Sequence, residues 1–270
     1  AMDVFYGERR FGASADTVLV EEFLEGEEVS FMGLCDGKRI LTLATSKDYK
    51  RIGDGDTGAN TGGMGAHSPA GVLGSAESSM ILEEVLRPTI QGMEAEGVPF
   101  VGVLYAGLMM TENGPRVLEF NARFGDPECQ PIMMRLENDL APLLYAGACG
   151  DFGVDRLTFR RQAAACIVLA SRGYPEKPIT GDVIQNLDKA AELEDVEVFH
   201  SGTKQVDCDI VSAGGRVLTV CALGTDLRVA LRKAYVGANT IAWQNRVFRT
   251  DIGRRVVEAI ADLQDTESIR

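Results

Sequence analysis

The chain has 270 residues, of which 45% are hydrophobic and 25% charged, and its formal net charge is −13. This length allows one large or two ordinary globular domains, and no apolar run approaches the roughly 18 residues that a membrane-spanning helix needs. The negative charge argues against nucleic acid or a membrane surface as partner, although a local basic cluster would still accept a small anionic substrate.

The first half of the chain predicts strands joined by tight turns. Residues 17–24 are β-rich and predict a strand. An Asp-Gly pair at 36–37 and an Asn-Gly pair at 113–114 each separate two strand-like runs, and such pairs are strong signals of a β-hairpin. We therefore expect an antiparallel sheet.

Two helices are expected beside that sheet. Apolar residues recur at helical spacing over 75–97, and Pro88 should kink or divide this helix because proline lacks the N–H that a helix interior needs. Residues 131–150 predict a second helix, which Pro142 should interrupt.

The pattern changes near Thr158. Short strand-like runs separated by glycines follow, and then an amphipathic helix over 226–241. We therefore predict an α+β protein with two domains: an antiparallel sheet with helices over 1–158, and a small domain of short strands and a helix over 159–270.

Six cysteines are scattered without the close C-x-x-C spacing that is typical of disulfide frameworks and zinc sites. We expect reduced, mostly buried thiols in a cytoplasmic protein. The two histidines, His67 and His200, lie far apart in the sequence, so a histidine-based metal site is not expected.

A glycine-rich segment is the first candidate binding element. Six of the 13 residues from Gly53 to Gly65 are glycine, and basic residues including Lys50 precede them. Glycine lets backbone N–H groups approach an anion closely, which favours a functional loop over a mobile surface loop. We expect a long loop and not a core element, and the P-loop sequence Gly-Lys-Ser/Thr is absent.

The end of the strand-like run at 117–121 is the second candidate. Side chains two residues apart lie on the same side of a strand, so Glu119 and Asn121 should face one point. A carboxylate and an amide oxygen suit Mg²⁺ or Mn²⁺. The alternative is a solvated strand end.

The third candidate follows at once. Arg123 carries a permanent charge suited to phosphate or acyl-phosphate oxygens, and Asp126 and Glu128 could hold an ammonium group or sugar hydroxyls. An intramolecular ion pair that caps the next helix is an equally good interpretation.

The segment 21–28 could form a nucleotide site, because the backbone of a strand end can bind adenine while Phe23 and Leu24 cover the ring. Glu28 could accept hydrogen bonds from ribose hydroxyls. The alternative interpretation is a set of exposed acids at a strand end.

Taken in order, the segments at 21–31, 48–69, 104–109 and 117–131 closely resemble the phosphoribosylamine–glycine ligase family of ATP-grasp enzymes. The resemblance continues through 170–184, 198–204, 214–224 and 249–253 and covers essentially the whole chain. It implies ligation of glycine to 5-phosphoribosylamine in purine biosynthesis, with ATP as substrate, magnesium or manganese as cofactor, and glycyl phosphate as intermediate.

The resemblance also implies roles for individual residues. Glu119 and Asn121 would bind the metal and Arg123 would act in catalysis. The nucleotide would contact Glu21, Phe23, Leu24 and Glu28. Glycine and 5-phosphoribosylamine would lie among Lys50, Asn60, Thr61, Gly62, Gly63, Met64, Asp126, Pro127 and Glu128.

Three departures from the family pattern matter. The family's N-terminal domain and phosphate-binding lid do not precede residue 1, so we expect a C-terminal portion that is inactive alone. Ala59 and His67 replace the usual proline and tyrosine. The run LYAGLMM at 104–110 lacks the additional acid of many ATP-grasp enzymes. Another ATP-grasp carboxylate–amine ligase, or a non-catalytic nucleotide-binding fragment, are the alternatives.

Overall fold

The computed structural model describes residues 3–9, 12–71 and 73–259. Among these residues, no helix combines the length and the apolar composition required to cross a bilayer. The strands are β1 Glu27–Asp36, β2 Ile40–Thr42, β3 Lys47–Asp48, β4 Arg51–Gly53, β5 Thr57–Asn60, β6 Gly65–Ser68, β7 Val101–Thr111, β8 Gly114–Asn121, β9 Ala163–Ser171, β10 Val196–His200, β11 Thr203–Val206, β12 Asp209–Ser212, β13 Arg216–Gly224 and β14 Arg246–Val247. The α-helices are α1 Ser75–Ile81, α2 Arg87–Ala95, α3 Cys129–Arg135, α4 Leu140–Ala148, α5 Leu187–Ala191 and α6 Leu227–Thr240.

The first sheet is antiparallel, with strand order β2-β1-β7-β8. Both predicted hairpins are confirmed, since β1 pairs with β2 and β7 pairs with β8. Alternation along β1 sends Phe31 to a core shared with Ile81 and Leu86, and sends Met32 to a core on the other face, shared with Ile132. Both faces of the sheet are therefore covered by helices.

The second sheet has strand order β10-β13-β9-β6-β3, with β14 also paired to β9. The helix α6 packs on it, burying Leu227, Ala230, Leu231 and Ala234 as its apolar spacing predicts. Because β3 and β6 precede residue 158, this sheet extends across the predicted domain boundary. The α+β class is confirmed, whereas the division at 158 stays a prediction.

The strand predicted over 17–24 is absent. These residues form no regular structure and most are exposed, with Phe23 86% accessible. The first strand begins only at Glu27, where Met110 of β7 provides a pairing partner. A β-rich sequence becomes a strand only where another strand accepts its hydrogen bonds, and among the described residues none does so for 17–24.

The glycine-rich segment is more ordered than a long loop. It forms the hairpin β4–β5 and then the buried strand β6, which pairs with β9 in the middle of the second sheet. A Cβ built on Gly65 would lie 2.7 Å from the carbonyl oxygen of Cys166. Glycine at this position therefore permits close strand contact, and the expectation that the segment is not a core element is wrong for β6.

The turn of the β4–β5 hairpin is held by Arg249, whose side chain is only 1% exposed. Its guanidinium donates to both carboxylate oxygens of Asp251, at 2.8 Å each, and to Asp56 Oδ1 at 2.9 Å. The backbone N–H of Gly55 donates to Asp251 Oδ2 at 2.8 Å. We call Arg249, Asp251 and Asp56 the Arg249 cluster. It fixes the tip of the glycine-rich hairpin to the C-terminal part of the chain.

The helix predicted over 75–97 is divided as expected: a π-helical turn, Leu82–Leu86, separates α1 from α2 just before Pro88. The helix predicted over 131–150 is instead interrupted before Pro142. Asp139 caps α4 by accepting a hydrogen bond from the Ala141 N–H, which starts a new helix there. Pro142 lies in the first turn of α4, where its missing N–H costs nothing.

Candidate functional site

A cleft opens where the end of β8, the segment 61–63 and the turn before α3 meet. Ten side chains or backbone segments line it: Asp48, Lys50, Thr61, Gly62, Tyr105, Glu119, Asn121, Arg123, Asp126 and Glu128. Eight of these ten were predicted as site residues from the sequence, and Asp48 and Tyr105 were not. The structure therefore brings together most of the residues proposed for metal, catalysis and substrate.

Glu119 and Asn121 converge at the end of β8. Glu119 pairs with Gly107 and Asn121 with Tyr105 in regular register, so both side chains lie on the face of the sheet that carries Tyr105. Asn121 Nδ2 donates to Glu119 Oε1 at 3.3 Å. A Cβ on Gly107 would lie 3.2 Å from the Cγ of Glu119, so glycine leaves room for the carboxylate side chain.

This pair fits a divalent cation that also contacts phosphate oxygens. Within residues 3–9, 12–71 and 73–259, no group of three Asp, Glu, His or Cys side chains forms a metal site by itself. A carboxylate and an amide oxygen at one point are hard ligands, and Mg²⁺ commonly takes one or two such ligands and completes its shell with water and phosphate.

Buried acids lie beneath the cleft. Glu128 is 2% exposed, and its Oε1 accepts hydrogen bonds from Tyr105 at 2.5 Å and from Ser30 at 3.0 Å. Asp48 Oδ1 is buried and has no hydrogen-bond partner among the described residues. Burial, and then the nearby charge of Glu128, raise the pKa of Asp48 well above its ordinary value. Glu128 is thus a fixed wall of the cleft, and Asp48 is a buried acceptor that the sequence interpretation missed.

Arg123 and Asp126 differ in how free they are. Arg123 is exposed and donates to the neighbouring Phe124 carbonyl at 3.0 Å, which leaves the rest of its guanidinium available to an anion. Asp126 instead pairs with Arg216 of β13, with Arg216 Nη2 at 3.0 Å from Asp126 Oδ2. The predicted alternative of an intramolecular ion pair therefore applies to Asp126, although it does not cap α3.

Lys50 forms an ion pair with Glu28, with Nζ and Oε2 3.0 Å apart. Burial alone would lower the pKa of Lys50, but the hydrogen bond and charge of Glu28 outweigh it and raise that pKa. Glu28 and Lys50 also line an adjoining groove with Asn60, so Asn60 faces this groove and not the cleft. The Lys50–Glu28 ion pair therefore lies where the groove predicted to hold the ribose meets the cleft.

The segment 22–24 lines a separate shallow groove together with Met110 and Arg116. Phe23 and Leu24 therefore lie on one surface, as an adenine site requires, while Glu21 is exposed and outside that groove. Glu28, at the start of β1, follows residues 22–24 of this groove in the sequence and precedes the residues of the cleft.

Met64 and Pro127 are placed differently from the prediction. Met64 is fully buried, its N–H donates to the Tyr49 carbonyl, and its own carbonyl accepts from Val168. It therefore has no group left for a substrate, because both its side chain and its backbone are occupied. Pro127 is buried and packs against Gly63. Both residues support the cleft without lining it.

Gly63→Ala should strongly destabilise the cleft. Gly63 has φ +115, and an added Cβ would lie 2.3 Å from Pro127 Cδ and 2.6 Å from Asp48 Oδ1. Gly114→Ala is the matched control, since Gly114 has φ +96 but open space around the new Cβ. We expect backbone strain to lower the free energy of unfolding by about 1–3 kcal/mol in the control, and Gly63→Ala to lower it by more. Urea unfolding measures both. Equal losses in the two variants would contradict the close contact.

Comparisons with known proteins identify the fold and the family of the chain. The chain is 35% identical to a solved structure of phosphoribosylamine–glycine ligase from Thermotoga maritima, with a TM-score of 0.77 over 86% of this chain and 56% of that one. N5-carboxyaminoimidazole ribonucleotide synthetase from Thermotoga maritima shares the fold alone, at 16% identity and a TM-score of 0.59, over 85% of this chain and 57% of that one. The fold is that of the ATP-grasp class.

Two family models match most of the chain: "Phosphoribosylglycinamide synthetase, ATP-grasp (A) domain" over residues 1–129 and "Phosphoribosylglycinamide synthetase, C domain" over residues 164–255. The chain belongs to the phosphoribosylglycinamide synthetase family. It is 49% identical to the phosphoribosylamine–glycine ligase of Rhizobium meliloti over 247 residues, which is 92% of this chain and 58% of the relative. The chain is 48% identical to that of Caulobacter vibrioides, again over 92% and 58%. It thus spans somewhat more than half the length of these relatives.

Proposed function

We propose that the polypeptide containing these residues joins glycine to 5-phosphoribosylamine, using ATP and giving glycinamide ribonucleotide, ADP and phosphate. The observation that carries this proposal is the convergence of Glu119, Asn121 and Arg123 with the segment 61–62 in one cleft. The relatives of known name support the choice of substrates.

The reaction requires activation of a poor electrophile, because the carboxylate of glycine does not react with an amine directly. A carboxylate oxygen of glycine attacks the γ-phosphorus of ATP, and ADP leaves with the electron pair of the broken P–O bond. The amine of 5-phosphoribosylamine then attacks the acyl carbon of glycyl phosphate, loses a proton, and expels phosphate. No side-chain nucleophile is needed, so the protein acts by positioning and charge stabilisation.

The cleft has groups suited to each of these tasks. Arg123 would neutralise phosphoryl or acyl-phosphate oxygens, since its guanidinium is exposed on the cleft and permanently charged. A divalent ion held by Glu119 and Asn121 would neutralise charge on the nucleotide phosphates. The nucleotide would extend from the groove at Phe23 and Leu24, past Glu28 and Lys50, to that ion.

The buried acids suggest how the amino groups are held. Asp48 and Glu128 both line the cleft, and the nearby charge of Glu128 is one cause of the raised pKa of Asp48. An ammonium group placed above them would lower that electrostatic cost. Thr61 and Gly62 would contact the substrates from the other side of the cleft. Gly63, Met64 and Pro127 would support Thr61 and Gly62 without contacting the substrates.

The test is the substrate dependence of ADP formation by the full polypeptide. ADP should form at an appreciable rate only when glycine and 5-phosphoribosylamine are both present, with glycinamide ribonucleotide as the product; omission of each substrate in turn is the control. Turnover with a different carboxylate or amine would point to another ATP-grasp ligase. Nucleotide binding without turnover on any substrate would indicate a non-catalytic nucleotide-binding protein.

A further inference from the structure

Arg216, at the start of β13, contacts both loops that border the cleft. Its Nη1 donates to the Gly62 carbonyl at 2.8 Å and to the Asp126 carbonyl at 2.6 Å. The same guanidinium forms a forked pair with the Asp126 carboxylate, through Nη1 to Oδ1 at 3.2 Å and Nη2 to Oδ2 at 3.0 Å. One side chain therefore fixes the distance between Gly62 and Asp126.

Tyr174 contacts the other backbone polar group of Gly62. Its hydroxyl accepts a hydrogen bond from the Gly62 N–H at 2.9 Å. The ring lies directly on Gly215, where an added Cβ would lie 2.2 Å from Tyr174 Cδ2. Gly215 directly precedes Arg216, so the side chains of Tyr174 and Arg216 lie close together where they reach Gly62. Arg216 binds the Gly62 carbonyl, and Tyr174 binds the Gly62 N–H.

A side chain at position 62 would displace the Arg216 guanidinium from this contact. A Cβ on Gly62 would lie 2.9 Å from the guanidinium carbon of Arg216. The Arg216–Asp126 pair is partly exposed, with the Arg216 side chain 21% and the Asp126 side chain 47% accessible. The position of the 61–62 segment is therefore set by residues from beyond residue 158, and not only by its own hairpin.

We propose that Arg216 and Tyr174 are positioning residues that hold Gly62 and Asp126 at the separation needed to bind glycine and 5-phosphoribosylamine. This inference rests on the proposed function, because those substrates are taken from it. Arg216 and Tyr174 act on the substrates only through the two loops. Their loss should therefore weaken binding of glycine and 5-phosphoribosylamine, while the groove lined by residues 22–24, which is proposed for the nucleotide, keeps its geometry.

The experiment compares Arg216→Lys and Tyr174→Phe with the wild type in the full polypeptide. Lysine keeps the charge but cannot make the forked pair and the two carbonyl contacts together, and phenylalanine removes only the hydroxyl. We expect KM for glycine and 5-phosphoribosylamine to rise about 10- to 100-fold in Arg216→Lys, and less in Tyr174→Phe, with KM for ATP within about 3-fold of the wild type.

Two control variants separate positioning from a general structural effect. Arg246 also donates from its guanidinium to backbone carbonyls, of Ala238 and Ile241, and Tyr235 also bridges two backbone groups through its hydroxyl. Neither lines the cleft. Arg246→Lys and Tyr235→Phe should change thermal stability to a similar degree and leave all three KM values unchanged.

Hydrogen exchange provides a readout that needs no turnover. The Gly62 N–H should exchange faster in both Arg216→Lys and Tyr174→Phe than in the wild type, and at the wild-type rate in the two controls. Unchanged KM values or unchanged exchange in Arg216→Lys would overturn the inference. A wild-type polypeptide that is inactive on these substrates, with the exchange difference still present, would overturn the proposed function and leave the positioning contact in place.

Discussion

Glu119→Gln should lower the rate of glycinamide ribonucleotide synthesis by about 100- to 1000-fold, as expected when a charged group that stabilises the transition state is lost. Glutamine keeps the shape of the side chain but removes the negative charge through which Glu119 would hold the proposed divalent ion. Because Glu119 is exposed, the substitution should leave the free energy of unfolding within about 0.5 kcal/mol of the wild type.

Glu197→Gln is the matched control for this variant. Glu197 is also an exposed glutamate in a strand, β10, but it belongs to the second sheet and lies outside the cleft. Initial rates should be measured over a range of Mg²⁺ and Mn²⁺ concentrations. We expect the rate of Glu197→Gln to match the wild type at each concentration. Near-normal synthesis by Glu119→Gln at ordinary metal concentrations would rule out the metal assignment.

The largest expected effect on stability is that of Arg249→Met. Methionine approximates the apolar part of the arginine stem but leaves Asp251 and Asp56 without their common cation, so the cost is about 3–5 kcal/mol, as for other broken buried ion pairs. The glycine-rich hairpin should also lose its attachment, because Asp251 would no longer be held where it accepts from Gly55 N–H. Urea unfolding at neutral pH measures the cost, with exposed Arg228→Met as the control.

The difference in the free energy of unfolding between the wild type and Arg249→Met should depend on pH, which provides a second check. Burial alone would raise the pKa of Asp251, but hydrogen bonds from Arg249 and Gly55 outweigh it and lower that pKa to about 2. A carboxyl with a depressed pKa stabilises the fold above its unfolded pKa of about 3.9, and this contribution is lost as the pH falls toward 2. The gap between the wild type and Arg249→Met should therefore narrow below about pH 4. A gap that stays constant down to pH 3 would show that the pair contributes through packing alone.

The features that the sequence predicted best are local ones. The hairpins at 36–37 and 113–114 follow from turn chemistry, and the convergence of Glu119 and Asn121 follows from strand alternation. Each depends on residues close together in the sequence, whose geometry is limited to a few possibilities. The helix break is also local, but the sequence predicts it at Pro142, whereas the Asp139 cap places it three residues earlier.

Contacts between distant segments could not be predicted in this way. Arg216 lies 90 positions from Asp126, and Arg249 lies 193 positions from Asp56. No spacing rule connects such pairs, since their contact depends on how β9 pairs with β13 on one side and with β6 on the other. The burial of Met64 has the same cause, because β9 covers the end of the glycine-rich segment. The strand predicted at 17–24 failed for the converse reason, the lack of a pairing strand among the described residues.

The central claim is that ATP activates the carboxylate of glycine in the cleft at Glu119 and Asn121. Its most direct test uses glycine labelled with ¹⁸O in both carboxylate positions, followed by mass spectrometry of the phosphate and the nucleotide product formed by the full polypeptide. We predict one ¹⁸O atom in each phosphate and one in the new amide carbonyl, because the oxygen that attacks phosphorus leaves with it. Phosphate without ¹⁸O, formed alongside the ligated product, would contradict activation through glycyl phosphate.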